Sequence, residues 1–163
     1  MHVRAATRGD AAAIAGIYNQ GIADRVATFE TRPRGVDDIS AWFDETHPVV
    51  VVEEDSAVIA FGATSAYRPR ACYAGIAETS VYVAREFRKR GAGRIALAGL
   101  IEAAERAGYW KLVSRIFPEN VASRALVRSV GFREVGIYEK HGQLEGAWRD
   151  VVIVERLIDR NVS

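Results

Sequence analysis

The chain has 163 residues, of which 49% are hydrophobic and 26% are charged. This composition is typical of a folded globular protein and excludes a disordered, collagen-like or coiled-coil chain. Its 22 Lys and Arg residues nearly balance its 21 Asp and Glu residues, giving a formal net charge of +1. No overall field therefore favours nucleic acid or an acidic membrane, and any anion site must be local. The length predicts a single domain over residues 1–163.

The positions of cysteine, histidine and apolar residues exclude several further classes of protein. Cys72 is the one cysteine in the sequence, so an intramolecular disulfide and a cysteine-rich zinc site are excluded, and we expect a buried or bystander thiol. His2 and His47 lack metal-ligand spacing, and no metal is predicted. No apolar run approaches the ~20 residues of a membrane span, and the N-terminus lacks a secretory apolar stretch. We expect a cytoplasmic protein with no membrane or nucleic-acid partner.

Periodicity in the first half of the chain predicts helices followed by strands. A short strand at residues 2–6 precedes an Ala- and Ile-rich helix that reaches Ile22, and a second helix is predicted over residues 36–46. β-like segments then follow at Val49–Glu53, Val58–Tyr67 and Tyr73–Ala84, the first two as a hairpin. In the third segment, Glu78, Ser80 and Tyr82 share one face.

The second half alternates helices and strands. The predicted elements are a helix over Gly91–Ala107, a strand over Lys111–Phe117, a helix over Asn120–Val130, and strands over Phe132–Tyr138 and Val151–Leu157. This order, an antiparallel hairpin followed by alternating strands and helices, predicts an α/β fold.

A basic glycine turn between a strand and a helix is the strongest local signal. It comprises Arg88, Lys89, Arg90, Gly91, Ala92, Gly93 and Arg94. Exposed backbone N–H groups, the helix N-terminus and flanking cations suit a pyrophosphate, although a solvated basic turn is the alternative. A dinucleotide fingerprint would require an acidic residue at the end of the next strand, which instead ends in Arg115, Ile116 and Phe117. The turn therefore fits coenzyme A better than NAD.

These segments together resemble a known family. Val81-Tyr82-Val83, Arg88-x-x-Gly91-x-Gly93, Asn120-x-x-Ser123-x-x-Leu126 and Gly131-Phe132 are similar to the acetyl-CoA-binding core of the GNAT N-acetyltransferases. Ile17-Tyr18-Asn19, Thr28-Phe29-Glu30, the segment Ala77 to Val83 and Trp148-x-Asp150-Val151 resemble the branch that acetylates phosphinothricin, arsinothricin and methionine sulfoximine. The resemblance implies a mixed, mostly antiparallel sheet, splayed at the cofactor site and with helices on both faces. It also implies a homodimer.

The resemblance assigns acetyl-CoA as co-substrate. Strand residues Val81, Tyr82 and Val83 would pair with pantetheine through the backbone, and an N–H of Val81 or Tyr82 would polarise the thioester carbonyl. Asn120 would hydrogen-bond pantetheine or cap its helix, with Ser123 and Arg124 near the phosphates. Val127 stands where relatives carry a Tyr or His acid, so we expect the thiolate to leave unaided, given a thiol pKa near 8.5.

The predicted binding site for the acceptor substrate is centred on the carboxylate of Glu78. Glu78 resembles the family's proposed base, with a solvated strand-end Glu as the alternative. Phe29 and Tyr73 would line the pocket. Arg68 and Arg70 would clamp a carboxylate or phosphinate of the substrate while its α-amine faces Glu78, unless they are ordinary surface charges. His141 matches a histidine of part of the family, but residues 143–147 are predicted to lengthen the following loop.

Three functions follow from these residues. The first is acetylation of the α-amine of a small amino acid analogue by direct attack in a ternary complex. The second is acetylation of a protein N-terminus or lysine, which would require an open groove. The third is a non-catalytic coenzyme A-binding sensor, which Val127 and the extended loop make conceivable.

Overall fold

The computed structural model describes residues 1–162, which form seven strands, four α-helices and four short 3-10 turns. The strands are β1 (His2–Ala5), β2 (Val49–Glu54), β3 (Ala57–Ala66), β4 (Ile76–Val83), β5 (Lys111–Ile116), β6 (Arg133–Leu144) and β7 (Ala147–Leu157). The helices are α1 (Ala11–Asp24), α2 (Val36–Ser40), α3 (Ala92–Arg106) and α4 (Val121–Ser129).

All seven strands belong to one sheet in the order β1-β2-β3-β4-β5-β7-β6. Every neighbouring pair is antiparallel except β4 and β5, which run parallel. The parallel pairing covers only residues 76–78 and 111–113, whereas β4 stays paired with β3 as far as Val83. The carboxyl halves of β4 and β5 therefore separate, as the splayed, mixed sheet predicted from the sequence requires.

Helices cover both faces of the sheet, as the predicted α/β fold requires. Strand β2 shows how the two layers form, because its buried valines alternate in direction along the strand. Val49 and Val51 pack with residues of α1 and α2, while Val50 and Val52 pack on the side of α3. β2 is therefore buried on both sides.

Three predicted segments have different bounds. Helix α2 ends at Ser40 rather than at residue 46, and residues 71–73 form a short 3-10 turn before β4 begins at Ile76. The predicted loop at 143–147 is wrong, since β6 continues to Leu144 and β7 begins at Ala147. Glu145 and Gly146 form the connecting turn with φ of 50° and 81°, so the extra residues lengthen a hairpin.

Neither a membrane-spanning helix nor a cluster of metal ligands occurs within residues 1–162. None of the helices there combines the length and the apolar character that crossing a membrane requires. In the same residues, no three His, Cys, Asp or Glu side chains are grouped so that they could hold a metal ion. The thiol of Cys72 is exposed.

Candidate active site

The basic turn joins β4 to α3 and presents unpaired backbone donors. Within residues 1–162, none of the N–H groups from Arg88 to Arg94 has a hydrogen-bond acceptor. Gly91 has a φ of +90°, a conformation that glycine adopts without strain. A Cβ on Gly93 would lie 3.2 Å from the Leu126 side chain and 3.4 Å from that of Val83. These donors, at the positive end of a 15-residue helix, fit the pyrophosphate of coenzyme A.

Two arginines of this turn, Arg88 and Arg90, are held in ion pairs. Arg88 Nη1 lies 2.8 Å from Asp24 Oδ2, and Arg88 Nε donates to the Val83 carbonyl at 3.3 Å. Arg90 pairs with Glu54 at 3.1 Å and lies over the Phe87 ring. In the described part of the chain, Lys89 and Arg94 have no carboxylate within salt-bridge distance. Lys89 and Arg94 are therefore the better placed cations for a phosphate.

The separation of β4 from β5 leaves a row of backbone groups open on β4. The Ala84 N–H donates to β3, so by alternation Tyr82 also directs its backbone groups to β3. The Thr79 carbonyl accepts from the Ser114 hydroxyl across the split, and Val81 therefore faces the same opening. Of the two predicted carbonyl-polarising donors, the register favours the N–H of Val81. Tyr82 contributes its ring, which lines the neighbouring cavity.

Helix α4 forms the other wall of the opening. Asn120 caps it, since its side-chain oxygen accepts from the Ser123 N–H at 3.2 Å, and its amide donates to Val26 at 3.4 Å. Ser123 and Val127 line a small cleft of about 90 Å³ together with Val81. This cleft is the predicted pantetheine path.

Arg124 has a structural partner instead of a free guanidinium. Its Nε and Nη2 contact both carboxylate oxygens of Glu134, at 2.8 and 3.0 Å, and its Nη1 donates to Pro118. The guanidinium lowers the pKa of Glu134 and the carboxylate raises that of Arg124. The predicted phosphate contact of Arg124 would require this bidentate pair to open.

A cavity of about 770 Å³ lies on the opposite side of β4 from α3. It meets the small cleft at the point where β4 and β5 separate, and residues of both strands line both spaces. These shared residues are Thr79, Ser80, Tyr82, Ser114, Arg115 and Ile116, with Ala27 from the loop after α1. An acceptor in the cavity and a thioester in the cleft could therefore meet at the split.

Glu78 lines this cavity and is held by an ion pair that sequence reasoning missed. Arg115 Nη2 donates to Glu78 Oε1 at 2.7 Å. Glu78 is in register with Val113, and Arg115 follows two residues later on the same face of the parallel neighbour. The sequence shows that a charged residue, Arg115, lies near the end of β5. Only the pairing of β4 with β5 identifies Glu78 as its partner.

Aromatic side chains form the other walls of the cavity. The Phe29 ring makes an edge contact with Phe117 at 4.9 Å and packs against Gly142, where a Cβ would lie 3.0 Å from the ring. His141 lies beside Gly142, in a bulge of β6 where residues 139–141 oppose Asp150 of β7. This bulge brings His141 to the cavity lining, so the longer hairpin does not remove it from the site.

The predicted acid clamp lies outside the lining of the cavity. Arg68 stacks over Tyr67 at 5.0 Å, and Arg70 lies over Tyr73 at 5.8 Å. Neither arginine nor Tyr73 lines the cavity in the described chain. The pKa of Arg68 is raised, first by its neighbour Tyr67 and to a smaller extent by the charges of Tyr138 and Glu78. Their contact with substrate stays a prediction.

Comparison with known proteins identifies the class of enzyme. Residues 17–132 match the Acetyltransferase (GNAT) family. The L-methionine sulfoximine/L-methionine sulfone acetyltransferase of Salmonella typhimurium is 30% identical over 167 aligned positions, covering 100% of this chain and 98% of the relative. The chain therefore belongs to the GNAT acetyltransferase family, and the predicted branch is supported by relatives of this kind.

Two solved structures have the same architecture. An acetyltransferase of Salmonella typhimurium with its cofactor acetyl-CoA superposes with a TM-score of 0.92 at 30% identity, covering 99% of this chain and 95% of that one. A ribosomal-protein-alanine N-acetyltransferase of Brucella melitensis also gives 0.92, at 31% identity, with 97% and 100% covered. The prediction of an acetyl-CoA-dependent N-acetyltransferase is confirmed at the level of the family.

Proposed function

We propose that this protein transfers the acetyl group of acetyl-CoA to the α-amine of a small amino acid analogue of the phosphinothricin, arsinothricin or methionine sulfoximine type. Direct attack within a ternary complex is the mechanism. The observation that carries the proposal is the junction of a walled cavity, with Glu78 in its lining, and the cofactor cleft at the split between β4 and β5. Relatives of this chain named for such substrates add support.

Glu78 is the proposed general base. A peptide α-ammonium group has a pKa of about 8, and the α-ammonium group of a free amino acid is a weaker acid because of its neighbouring carboxylate, so its deprotonation at neutral pH costs at least ~1–2 kcal/mol and needs a base. The carboxylate faces the cavity with 28% of its side chain exposed, so a proton taken from the amine can pass to solvent. Bound acetyl-CoA supplies the acetyl thioester. The new N–C bond forms as the C–S bond breaks, and of the two protons that nitrogen loses, one ends on sulfur and one in solvent.

The backbone of β4 would support this chemistry. The N–H of Val81 is the proposed donor to the carbonyl oxygen as negative charge develops there. Val127 packs in the core against α3 and has no proton to give, so the leaving thiolate departs without an acid at this position. The thiolate can leave unprotonated because it is a weak base, with a thiol pKa near 8.5.

The walls of the cavity favour a compact acceptor. Phe29 and His141 close one side, and Tyr82 closes another, where burial raises the pKa of its hydroxyl and keeps that group neutral. Arg68 and Arg70 remain the proposed partners of a second acid group at the outer end of the acceptor. Their positions beside Tyr67 and Tyr73 would require the loop to close on the substrate.

Acetylation of a protein N-terminus is the second candidate, favoured by the likeness to the ribosomal-protein-alanine N-acetyltransferase. An assay of free-thiol release tests both. Phosphinothricin, arsinothricin, methionine sulfoximine and a peptide beginning with alanine would each be offered with acetyl-CoA. We expect kcat/KM to be highest for an amino acid analogue. Faster reaction of the peptide would favour the second candidate, and no thiol release with any amine would favour a coenzyme A sensor.

A homodimer in the cytoplasm is the proposed setting. Strand β6 is the edge of the sheet and exposes apolar side chains that an interface would cover, among them Val135, Ile137 and Tyr138. Light scattering coupled to gel filtration should give twice the 17.9 kDa mass of the chain. A monomer mass at micromolar concentration would contradict the dimer.

A further inference from the structure

Glu78 and Arg115 form an ion pair exposed to the acceptor cavity. The donor and acceptor atoms lie 2.7 Å apart, and the two side chains are 28% and 44% exposed. Both residues line the cavity, and Arg115 also lines the cofactor cleft. The positive and negative groups therefore stand side by side where the amine of the acceptor must react.

Arg115 has most of its hydrogen-bonding capacity unused. Within residues 1–162, only its Nη2 has an acceptor, and its Nε and Nη1 donate to no group. Exposed ion pairs of this kind contribute little to folding because water screens them. A guanidinium that lines a cavity and has free donors suits a carboxylate, which it can bind through two parallel hydrogen bonds.

The pair is complementary to the head group of a free α-amino acid. In such a molecule an ammonium and a carboxylate are attached to the same carbon, so the two charges lie about as close together as those of Glu78 and Arg115. We propose that Arg115 binds the α-carboxylate of the acceptor while Glu78 receives its α-amine, so that the two residues together select free zwitterionic α-amino acids. This assignment rests on the proposed function and adds a specificity-determining residue to it.

The arrangement also explains how the acceptor would be oriented. With the carboxylate at Arg115 and the amine at Glu78, the third substituent of the α-carbon points into the cavity, between Phe29 and His141. Arg68 and Arg70, which stack on tyrosines outside this lining, are then left to meet an acid group at the far end of the side chain. A peptide amine has no α-carboxylate beside it and leaves the unused donors of Arg115 without an acceptor.

The test crosses two enzymes with two substrates. Wild type and Arg115→Ala would each be assayed for thiol release with methionine sulfoximine and with its α-methyl ester. We expect the ester to raise KM in the wild type by roughly 10- to 150-fold, the loss of one charge-assisted contact, and to change it little in Arg115→Ala. Arg115→Lys should retain part of the preference for the acid. Arg160→Ala, which removes an exposed arginine paired with Glu105, is the matched control.

Each outcome bears on a different claim. If Arg115→Ala loses activity equally towards acid and ester, Arg115 only positions Glu78 and the proposal is wrong. If the preference for the acid persists in Arg115→Ala but disappears in Arg68→Ala or Arg70→Ala, the loop binds the α-carboxylate and the proposal is again wrong, although the proposed function stands. If wild type acetylates an alanine-initiated peptide but no free amino acid, both proposals fail together.

Discussion

Replacing Gly21 by alanine should disturb the active site through Tyr82. Gly21 is buried in α1, and a Cβ there would lie 2.6 and 2.7 Å from two carbons of the Tyr82 ring. The ring cannot simply move away, because it packs against Tyr18 at 5.1 Å and Phe61 at 5.5 Å between centroids. The added methyl must therefore push α1 or β4, and β4 also carries Glu78 and Val81.

Gly16 in the same helix provides the matched control. A Cβ at Gly16 would have no heavy atom within 4 Å, so Gly16→Ala should gain up to ~1 kcal/mol from helix propensity alone. Gly21→Ala has the same gain but adds overpacking, which costs about 1–3 kcal/mol. The two variants should therefore differ by about 1–3 kcal/mol in the free energy of unfolding, with Gly21→Ala the less stable.

Urea denaturation and steady-state kinetics would measure both effects. We expect a lower urea midpoint for Gly21→Ala than for Gly16→Ala, and a fall in kcat/KM confined to Gly21→Ala. Equal stability together with wild-type kcat/KM in both variants would refute the argument that α1 supports β4 through the Tyr82 ring.

Two further variants test the cofactor turn and the link between β1 and α1. Gly93→Glu should abolish acetyl-CoA binding in calorimetric titration. Gly136→Glu is the control and should bind normally, because no heavy atom lies within 4 Å of a Cβ at Gly136. Unchanged affinity in Gly93→Glu would show that the turn is not part of the cofactor site. Asp10 accepts two hydrogen bonds of 2.8 Å from Arg4, which lower its pKa below 3.8. Its stabilisation should therefore be complete above about pH 4 and decline as pH falls through the lowered pKa. Asp10→Asn should lose about 1.5–3 kcal/mol at pH 7 and less at pH 2.5, and an equal loss at both pH values would contradict the ion-pair explanation.

Local pattern was enough to predict most of the fold. The alternation of Glu78, Ser80 and Tyr82 along one strand, and the glycine turn before α3, both appear in the structure as short-range rules require. Residues 143–147 differed because a loop and a lengthened hairpin have similar local sequences. Pairing with β7, together with the positive φ of Glu145 and Gly146, makes these residues strand and turn.

The candidate site was predicted only in part, because its contacts are non-local. Arg115 and Glu78 are 37 residues apart and meet because β4 and β5 pair in parallel through residues 76–78. Arg124 was expected near the cofactor from its place on α4, but Glu134 of β6 engages its guanidinium. The residue pattern within one helix or strand does not predict which charged residues of another element will lie opposite it.

The role of Glu78 is the central claim, and a pH–rate profile of Glu78→Gln tests it most directly. Thiol release with methionine sulfoximine would be followed from pH 7 to 10 in wild type, in Glu78→Gln and in Glu102→Gln, which changes a carboxylate on α3. We expect kcat/KM of Glu78→Gln to fall by roughly 10²–10⁴ at pH 7 and to recover much of this loss at high pH, where the amine is already deprotonated. Glu102→Gln should follow the wild type. Normal activity of Glu78→Gln at pH 7 would contradict the account, since Glu78 would then be only the structural partner of Arg115.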